Sequence, residues 1–195
     1  MSPLQRCPWC GTDPLYVAYH DHEWGRPETD PRALWEALVL ESFQAGLSWI
    51  TILRRRDGFR AAFQGFDPAQ IATWGAAEVA ELVTDPRIIR HRGKIEATLL
   101  GARAFLETEA REGFSAFLWR HVGGGPLQNF RQNPGEIPAD TRESQALAKA
   151  LKREGFKFCG PTISYAFMQA TGMVNDHLTT CPAHAEVLSM HRQIS

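Results

Sequence analysis

At 195 residues, with 44% hydrophobic residues, 22% charged residues and a formal net charge of −1, the chain has an ordinary globular balance and room for one domain or two tightly joined lobes. No apolar run approaches the roughly 20 residues that cross a bilayer, and the opening Met-Ser-Pro-Leu-Gln-Arg-Cys lacks the apolar core of a secretion signal. The expectation is a cytoplasmic protein with no membrane partner, and not one that is strongly basic overall, although local basic patches remain open to nucleic acid.

The first 27 residues are rich in Cys, Trp, Tyr and His and show little periodicity. Asp30-Pro31 then sets an N-cap residue before a proline in the first helical position. Leu34, Leu38 and Glu41 follow at helical spacing, so the glutamate shares a face with two leucines. Arg54-Arg55-Arg56 and the later set Arg87, Arg90, Arg92 and Lys94 read as solvated helix faces. Asp67-Pro68 repeats the helix-start signal, and Ile95, Leu99, Ala102 and Leu106 form an amphipathic stripe. Residues 123–138, rich in Gly, Pro, Gln and Asn, predict a loop. A helix is expected over about 143–154, with Leu147 and Leu151 inward and Gly155 as its stop, and another from Pro161 to Ala170. Alternating strand patterns are scarce, so the expected fold class is all-α.

Three groups of residues carry chemistry. Thiolate and imidazole are the usual ligands of a structural metal. The chain offers Cys7, Cys10, His20 and His22 near its start and His177, Cys181 and His184 near its end. Cys7-Pro-Trp-Cys10 with His177 and Cys181 would supply four ligands, and so would Cys7, His20, His177 and Cys181; spacing does not choose. Four protein ligands close a site, so the metal would be structural and would pin the two ends of the chain together. Second, Leu151 to Ala170 reads as helix, Gly-containing turn, helix. Backbone N–H groups at such a turn can hold a phosphate without reading sequence, and Gly160 would allow close approach. Third, a glutamate on an apolar face is costly unless something pairs with it. Trp9, Tyr16, Tyr19, Trp24 and Trp49 supply aromatic surface in the same half. Aromatic faces with a carboxylate suit a flat cationic ligand.

Five blocks in order now resemble a known family, the 3-methyladenine DNA glycosylase I family: Asp13-Pro-Leu-Tyr-Val-Ala-Tyr-His-Asp-His-Glu-Trp-Gly25, Gln44-Ala-Gly-Leu-Ser-Trp-Ile50, Ile88-Ile-Arg-His-Arg-Gly-Lys-Ile95, Gly155-Phe-Lys-Phe158 and Val174-Asn-Asp-His177. The resemblance spans nearly the whole chain and weakens near 123–138 and after Cys181. It implies a helix-hairpin-helix glycosylase fold with a structural zinc joining the termini, held by Cys7, His20, His177 and Cys181, and no organic cofactor. It implies one unit over 1–195, with a pocket lobe near 28–145 and a zinc-linked lobe of 1–27 and 146–195. It places the pocket glutamate at Glu41 and the base-binding aromatics at Tyr19 and Trp49, with Trp9 and Trp24 as supporting walls. The Gln44-Ala45-Gly46-Leu47 turn would press into the gap left by a flipped nucleotide, and Gly160 and Thr162 would lie against the DNA.

The implied activity is removal of 3-methyladenine from alkylated double-stranded DNA by a monomer. Trp49 would stack on the cationic base, and Glu41 would accept hydrogen bonds from its edge with Tyr19 assisting. Thr162 stands where strand-cleaving relatives carry a lysine, so the strand should stay intact. Asp176 is expected to orient His177 or cap a helix. There are departures: Phe158 fills a slot usually held by glycine, Ser42 and Phe43 stand where some relatives have Gly and Gln, and Cys159 replaces an aliphatic residue. Two other readings use the same residues: a zinc-stabilised DNA-binding protein without a pocket, and an enzyme for another small cationic ligand whose hairpin is merely structural.

Overall fold

A computed structural model describes residues 5–191. The chain order is built on one repeated device. Three helices start with Asp-Pro: α1 (Pro14–His22), α2 (Pro31–Gln44) and α5 (Pro68–Ile71). In each, the Asp side chain accepts from backbone N–H groups of the first turn, and the proline occupies a position with no helical N–H to lose. The first of these helices lies in the aromatic N-terminal stretch where little periodicity is visible; Asp13-Pro14 was its signal.

Between them lie α3 (Trp49–Leu53) and α4 (Arg56–Ala62), followed by α6 (Ala76–Leu82), α7 (Arg92–Glu112) and α8 (Phe114–Trp119). The hairpin expected near the C-terminus is present as α9 (Arg142–Glu154) and α10 (Pro161–Ala170), and α11 (Pro182–His191) closes the described chain. Gly155 ends α9 at φ 101°, where a side chain would be strained. Two short strands, β1 (Leu127–Gln128) and β2 (Val174–Asn175), pair in parallel, with Leu127 opposite Val174. The fold is otherwise helical, as an all-α chain should be. No helix among the described residues is long and apolar enough to cross a membrane.

The main core lies where α2, α7, α8, α9 and α10 meet. Leu34, Trp35, Ile95, Ala102, Phe114, Leu147, Leu151 and Phe167 are all essentially inaccessible there. Gly101 lets α7 approach α2: a Cβ at that position would stand 2.9 Å from the Trp35 ring. The apolar stripe of α7 does not run as far as expected. Ile95, Leu99 and Ala102 are buried, but Leu106 is exposed. Phe105 replaces it, because Phe114 of α8 packs at 4.7 Å between ring centroids and draws the buried face round.

Candidate active site and metal centre

Glu41 sits in the last turn of α2, buried behind Leu34 and Leu38 on the same face. Among the described residues, no cation or hydrogen-bond donor compensates it. Burial alone pushes its carboxyl up to about 8, and Oε2 has no partner. The group is therefore an acid at neutral pH, able to offer one donor and one acceptor, where an ionised carboxylate would only accept.

Aromatic rings enclose it. Tyr19 from α1 and Trp49 at the start of α3 lie 5.4 Å apart between centroids. Trp9 stands edge-on to Tyr16, Tyr19 and Trp24 at 5.0, 6.4 and 4.9 Å. Together with Gln44 these rings and Glu41 line an open cavity of about 380 Å³. Gln44 Oε1 and Trp49 Nε1 are buried there without partners, like Glu41 Oε2. Three orphaned polar atoms in an aromatic cavity describe a site built for a polar-edged flat ligand. All the expected pocket residues thus come together. Pro134, Ile137 and Gln169 also line the cavity, and nothing in their local sequence announces it, since the folding of distant segments brings them there.

Glu41, Tyr19 and Trp49 also border a second cavity of about 330 Å³. Its arginines are already engaged: Arg56 holds Glu23 through two contacts, one of 3.0 Å, and Arg60 holds Glu36 at 2.8 Å. In the Arg54-Arg55-Arg56 cluster, Arg54 and Arg55 are exposed, as expected of a solvated face, with Arg54 paired to Asp13 at 2.6 Å on the surface, while Arg56 is half-buried. Arg87, Arg90 and Arg92 are exposed, but Lys94 is buried, against the expectation of one solvated cluster.

Beside the pocket, the chain turns sharply at Gln44 to Leu47. Leu47 N–H donates to the Gln44 carbonyl at 2.6 Å, and Gly46 adopts φ 82°. Leu47 is consequently held out, 41% exposed. At the hairpin, Phe158 takes φ 58° in the slot where a glycine is usual, a conformation costly for a bulky residue. Gly160 has ordinary negative φ, and the space beside it is open: a Cβ there would meet nothing within 4 Å. No side chain caps α10, and Thr162 is exposed on its first turn, so phosphate could reach the helix start. Cys159 is buried and its thiol is pushed up to about 12, which makes it inert.

The four expected ligands, Cys7, His20, His177 and Cys181, are buried, and their donor atoms lie within 4.8 Å of one another. A tetrahedral thiolate–imidazole site with bonds of about 2.0–2.3 Å has edges of roughly 3.5 Å. Cys7 Sγ–His177 Nδ1 and Cys181 Sγ–His20 Nε2 are both 3.6 Å, and Cys181 Sγ–His177 Nδ1 is 4.0 Å. The other ring nitrogens are engaged, His20 with Asp21 at 2.8 Å and His177 with the Trp24 carbonyl at 3.1 Å. The donor set therefore fits a metal ion. His20 rather than Cys10 completes the cluster, because Cys10 Sγ turns to the Cys7 carbonyl at 3.2 Å. Gly25 makes room: a Cβ at that position would stand 2.9 Å from His177 Nε2.

Asp176 has a different role from the one expected. It is fully buried and accepts from Asn129, Arg131, Tyr165 and Gln169, tying the 129–136 loop to α10. His177 instead donates its backbone N–H to Asn175 Oδ1 and its ring Nε2–H to the Trp24 carbonyl. Four donors leave the Asp176 carboxylate no access to a substrate.

Residues 9–184 match the family model described as methyladenine glycosylase. The chain is 51% identical to DNA-3-methyladenine glycosylase 1 of Escherichia coli over 91% of its own length and 96% of that protein. It also superposes on a crystal structure of 3-methyladenine DNA glycosylase I with a TM-score of 0.91 and 53% identity, covering 92% of this chain and 100% of that one. On the Staphylococcus aureus 3-methyladenine DNA glycosylase I, whose structure addresses recognition of 3-methyladenine, the TM-score is 0.86 with 40% identity, covering 89% and 93% of the two chains. The chain belongs to the methyladenine glycosylase family.

Proposed function

We infer that this protein is a DNA-3-methyladenine glycosylase of base-excision repair, hydrolysing the N-glycosidic bond of 3-methyladenine in alkylated DNA. The observation that carries the reading is Glu41, an acid without a protein partner that faces a cavity walled by Tyr19, Trp49, Trp9 and Trp24. The names of its relatives support the same lesion.

The base must first leave the duplex, at a cost of a few kcal/mol. The exposed Leu47, carried on the Gln44–Gly46 turn, fills the vacated space, while the open backbone at Gly160 and Thr162 holds phosphate. The partner is double-stranded DNA, and the protein works as a monomer. The base then stacks between Trp49 and Tyr19. Methylation at N3 leaves it cationic. That charge draws the Glu41 proton off to solvent, and the resulting carboxylate pairs with the base. An undamaged adenine brings no charge, so it does not recover the cost of ionising Glu41, and selectivity follows from this difference.

When the C1′–N9 bond breaks, its electron pair stays on the base, which becomes neutral. Water adds to C1′ and loses its proton to solvent. Glu41 regains a proton and meets the neutral product as an acid, its donor and acceptor matching the N7 acceptor and N6 donor of the adenine edge. Thr162 occupies the hairpin place where strand-cleaving relatives carry their attacking lysine, so the strand stays whole. Zinc is the ion we assign to Cys7, His20, His177 and Cys181; when bound it supplies structural cross-linking of the chain ends, with no coordination place left for substrate. We further take residues 28–145 and the pair 1–27 with 146–195 as two lobes of one unit, and the cytoplasm as its place of action.

The test is an excision assay on methylated duplex DNA, with released bases separated by chromatography and the strand checked for breaks. Free 3-methyladenine from an uncut strand is expected. No released base from folded, metal-replete protein would overturn the reading and favour a DNA-binding role instead.

A further inference from the structure

Lys94 lies in the first turn of α7, yet is buried with no carboxylate within 4 Å among the described residues. Its ammonium donates to the carbonyls of Phe43 at 2.9 Å and Ala45 at 2.6 Å. These belong to the end of α2, where carbonyls lack helical partners and a positive charge is favoured by the helix dipole. The cap of α2, Ala45, stays in ordinary backbone with φ −47° and ψ 114°, and the left-handed Gly46 after it serves the Gln44–Leu47 turn. Lys94 is what holds the point at which α2 gives way to the Gln44–Leu47 turn.

On its other side the ammonium faces the Phe158 ring at 5.9 Å from the centroid. Phe158 is the strained residue at the hairpin tip, and its ring also meets His91 edge-on at 5.9 Å. His91 in turn caps α7 by accepting from the Lys94 backbone N–H at 3.2 Å. One buried cation thus touches both parts of the molecule assigned to DNA. Burying a cation without an anion is costly, and lowers the ammonium pKa by desolvation. A leucine or methionine would fill the space without that cost, but would leave the Phe43 and Ala45 carbonyls without this donor.

We propose that Lys94 is a positioning residue for base flipping, tying the turn that carries Leu47 to the hairpin tip at Phe158 so that gripping the backbone and wedging the stack occur as one act. The proposal rests on the glycosylase reading above. It makes a distinction that ordinary packing does not. Free 3-methyladenine needs only the pocket, whereas a lesion in duplex DNA needs the wedge and hairpin in register.

Lys94→Met keeps the aliphatic stem and removes the donors. Two readouts are needed: affinity for free 3-methyladenine by quenching of tryptophan fluorescence, and the single-turnover rate of excision from methylated duplex. Free-base affinity should stay within about twofold of the parent, while duplex excision falls roughly 10- to 100-fold, the size expected for losing hydrogen bonds from a charged group. Lys94→Gln, which keeps a donor, should recover part of the rate, and it substitutes for Lys94→Met if that variant does not fold. An unchanged duplex rate overturns the proposal. So does a parallel loss of free-base affinity and excision, which would make Lys94 a general prop. The parent protein run alongside separates the two levels: if it releases no base, the glycosylase reading itself falls and this inference with it.

Discussion

The Cys/His cluster and the aromatic pocket around Glu41 are both buried and both polar, yet they differ in one respect. At the cluster, each imidazole engages a thiolate with one nitrogen and Asp21 or a backbone carbonyl with the other. At the pocket, Glu41 Oε2, Gln44 Oε1 and Trp49 Nε1 have nothing. Buried polar groups are normally satisfied, and the exceptions ask for an explanation. The cluster completes itself from within, whereas the pocket leaves three polar atoms whose partners a ligand would supply. Trp9 and Trp24 stand between the two, packing against His20 or His177 on one side and lining the pocket on the other. The cluster therefore steadies the pocket wall.

Breaking the cluster should have the largest effect. Cys181→Ser, or removal of the metal by a chelator, should cost on the order of 5 kcal/mol, since structural metal binding is itself folding energy. In a chain of this size that corresponds to a fall in Tm of roughly 10–20 °C. Scanning calorimetry with and without chelator checks it. A Tm indifferent to both would mean that the cluster folds as a set of ordinary hydrogen bonds.

Next in size is Glu41→Gln, which should move activity and stability in opposite directions. Excision of the cationic lesion should drop roughly 10- to 100-fold through loss of a charge-assisted hydrogen bond. The stability sign follows from burial. The folded carboxyl sits at about 8, above its ordinary 4.5, so the folded state holds a proton that the unfolded state has released between those values. Stability contributed by the acid form is complete below about pH 4.5 and is lost as pH rises through 8. Glutamine carries no such penalty. The variant should match the parent near the lower pH and exceed it by a few kcal/mol above the higher one. Urea denaturation across that range checks this; a stability difference that does not change with pH would remove the unpaired acid from the account.

The same carboxyl should make binding of the neutral product base fall as pH rises through about 8, because ionised Glu41 no longer donates to N7. The expected loss is on the order of tenfold, the worth of one such hydrogen bond. Titration of free 3-methyladenine at several pH values, with Glu41→Gln as the pH-independent control, tests it. Affinity that stays flat in the parent would show that the product edge does not rest on this group.

How far the sequence foretold these sites depends on whether each property is local. The burial of Glu41 follows from its place behind Leu34 and Leu38 on one helical face, and three helix starts are written in Asp-Pro pairs. The pairing of Cys7 and His20 with His177 and Cys181 required the two ends of the chain to meet, which spacing does not encode. The family resemblance, carried by several blocks at once, selected His20 where spacing left Cys10 equal. The burial of Lys94 was hidden by its basic neighbours: Arg87, Arg90 and Arg92 do face solvent, and only packing of α7 against the end of α2 separates the lysine from them. The Pro134 and Gln169 side of the pocket depends on Asp176, whose four donors come from segments far apart in the chain.

The smallest expected effect concerns Phe158, where opposing contributions nearly cancel. Its left-handed backbone stores strain of about 1–3 kcal/mol, which Phe158→Gly would release. Glycine would also give the unfolded chain more freedom, at roughly 0.4–1 kcal/mol, and would forfeit the ring's contacts with Lys94 and His91. The ring is 39% exposed, so those contacts are worth little, and the net change in stability should stay within about 1 kcal/mol of zero. The effect on repair should be larger than the effect on folding, because the ring is the hairpin's link to Lys94. A glycine variant of near-parental stability that excises from duplex more slowly, while binding free 3-methyladenine as before, would place the value of the strained residue in coupling rather than in the fold. Faster or equal excision would instead mean that the hairpin grips DNA through its backbone alone, and that Phe158 is tolerated there without serving it.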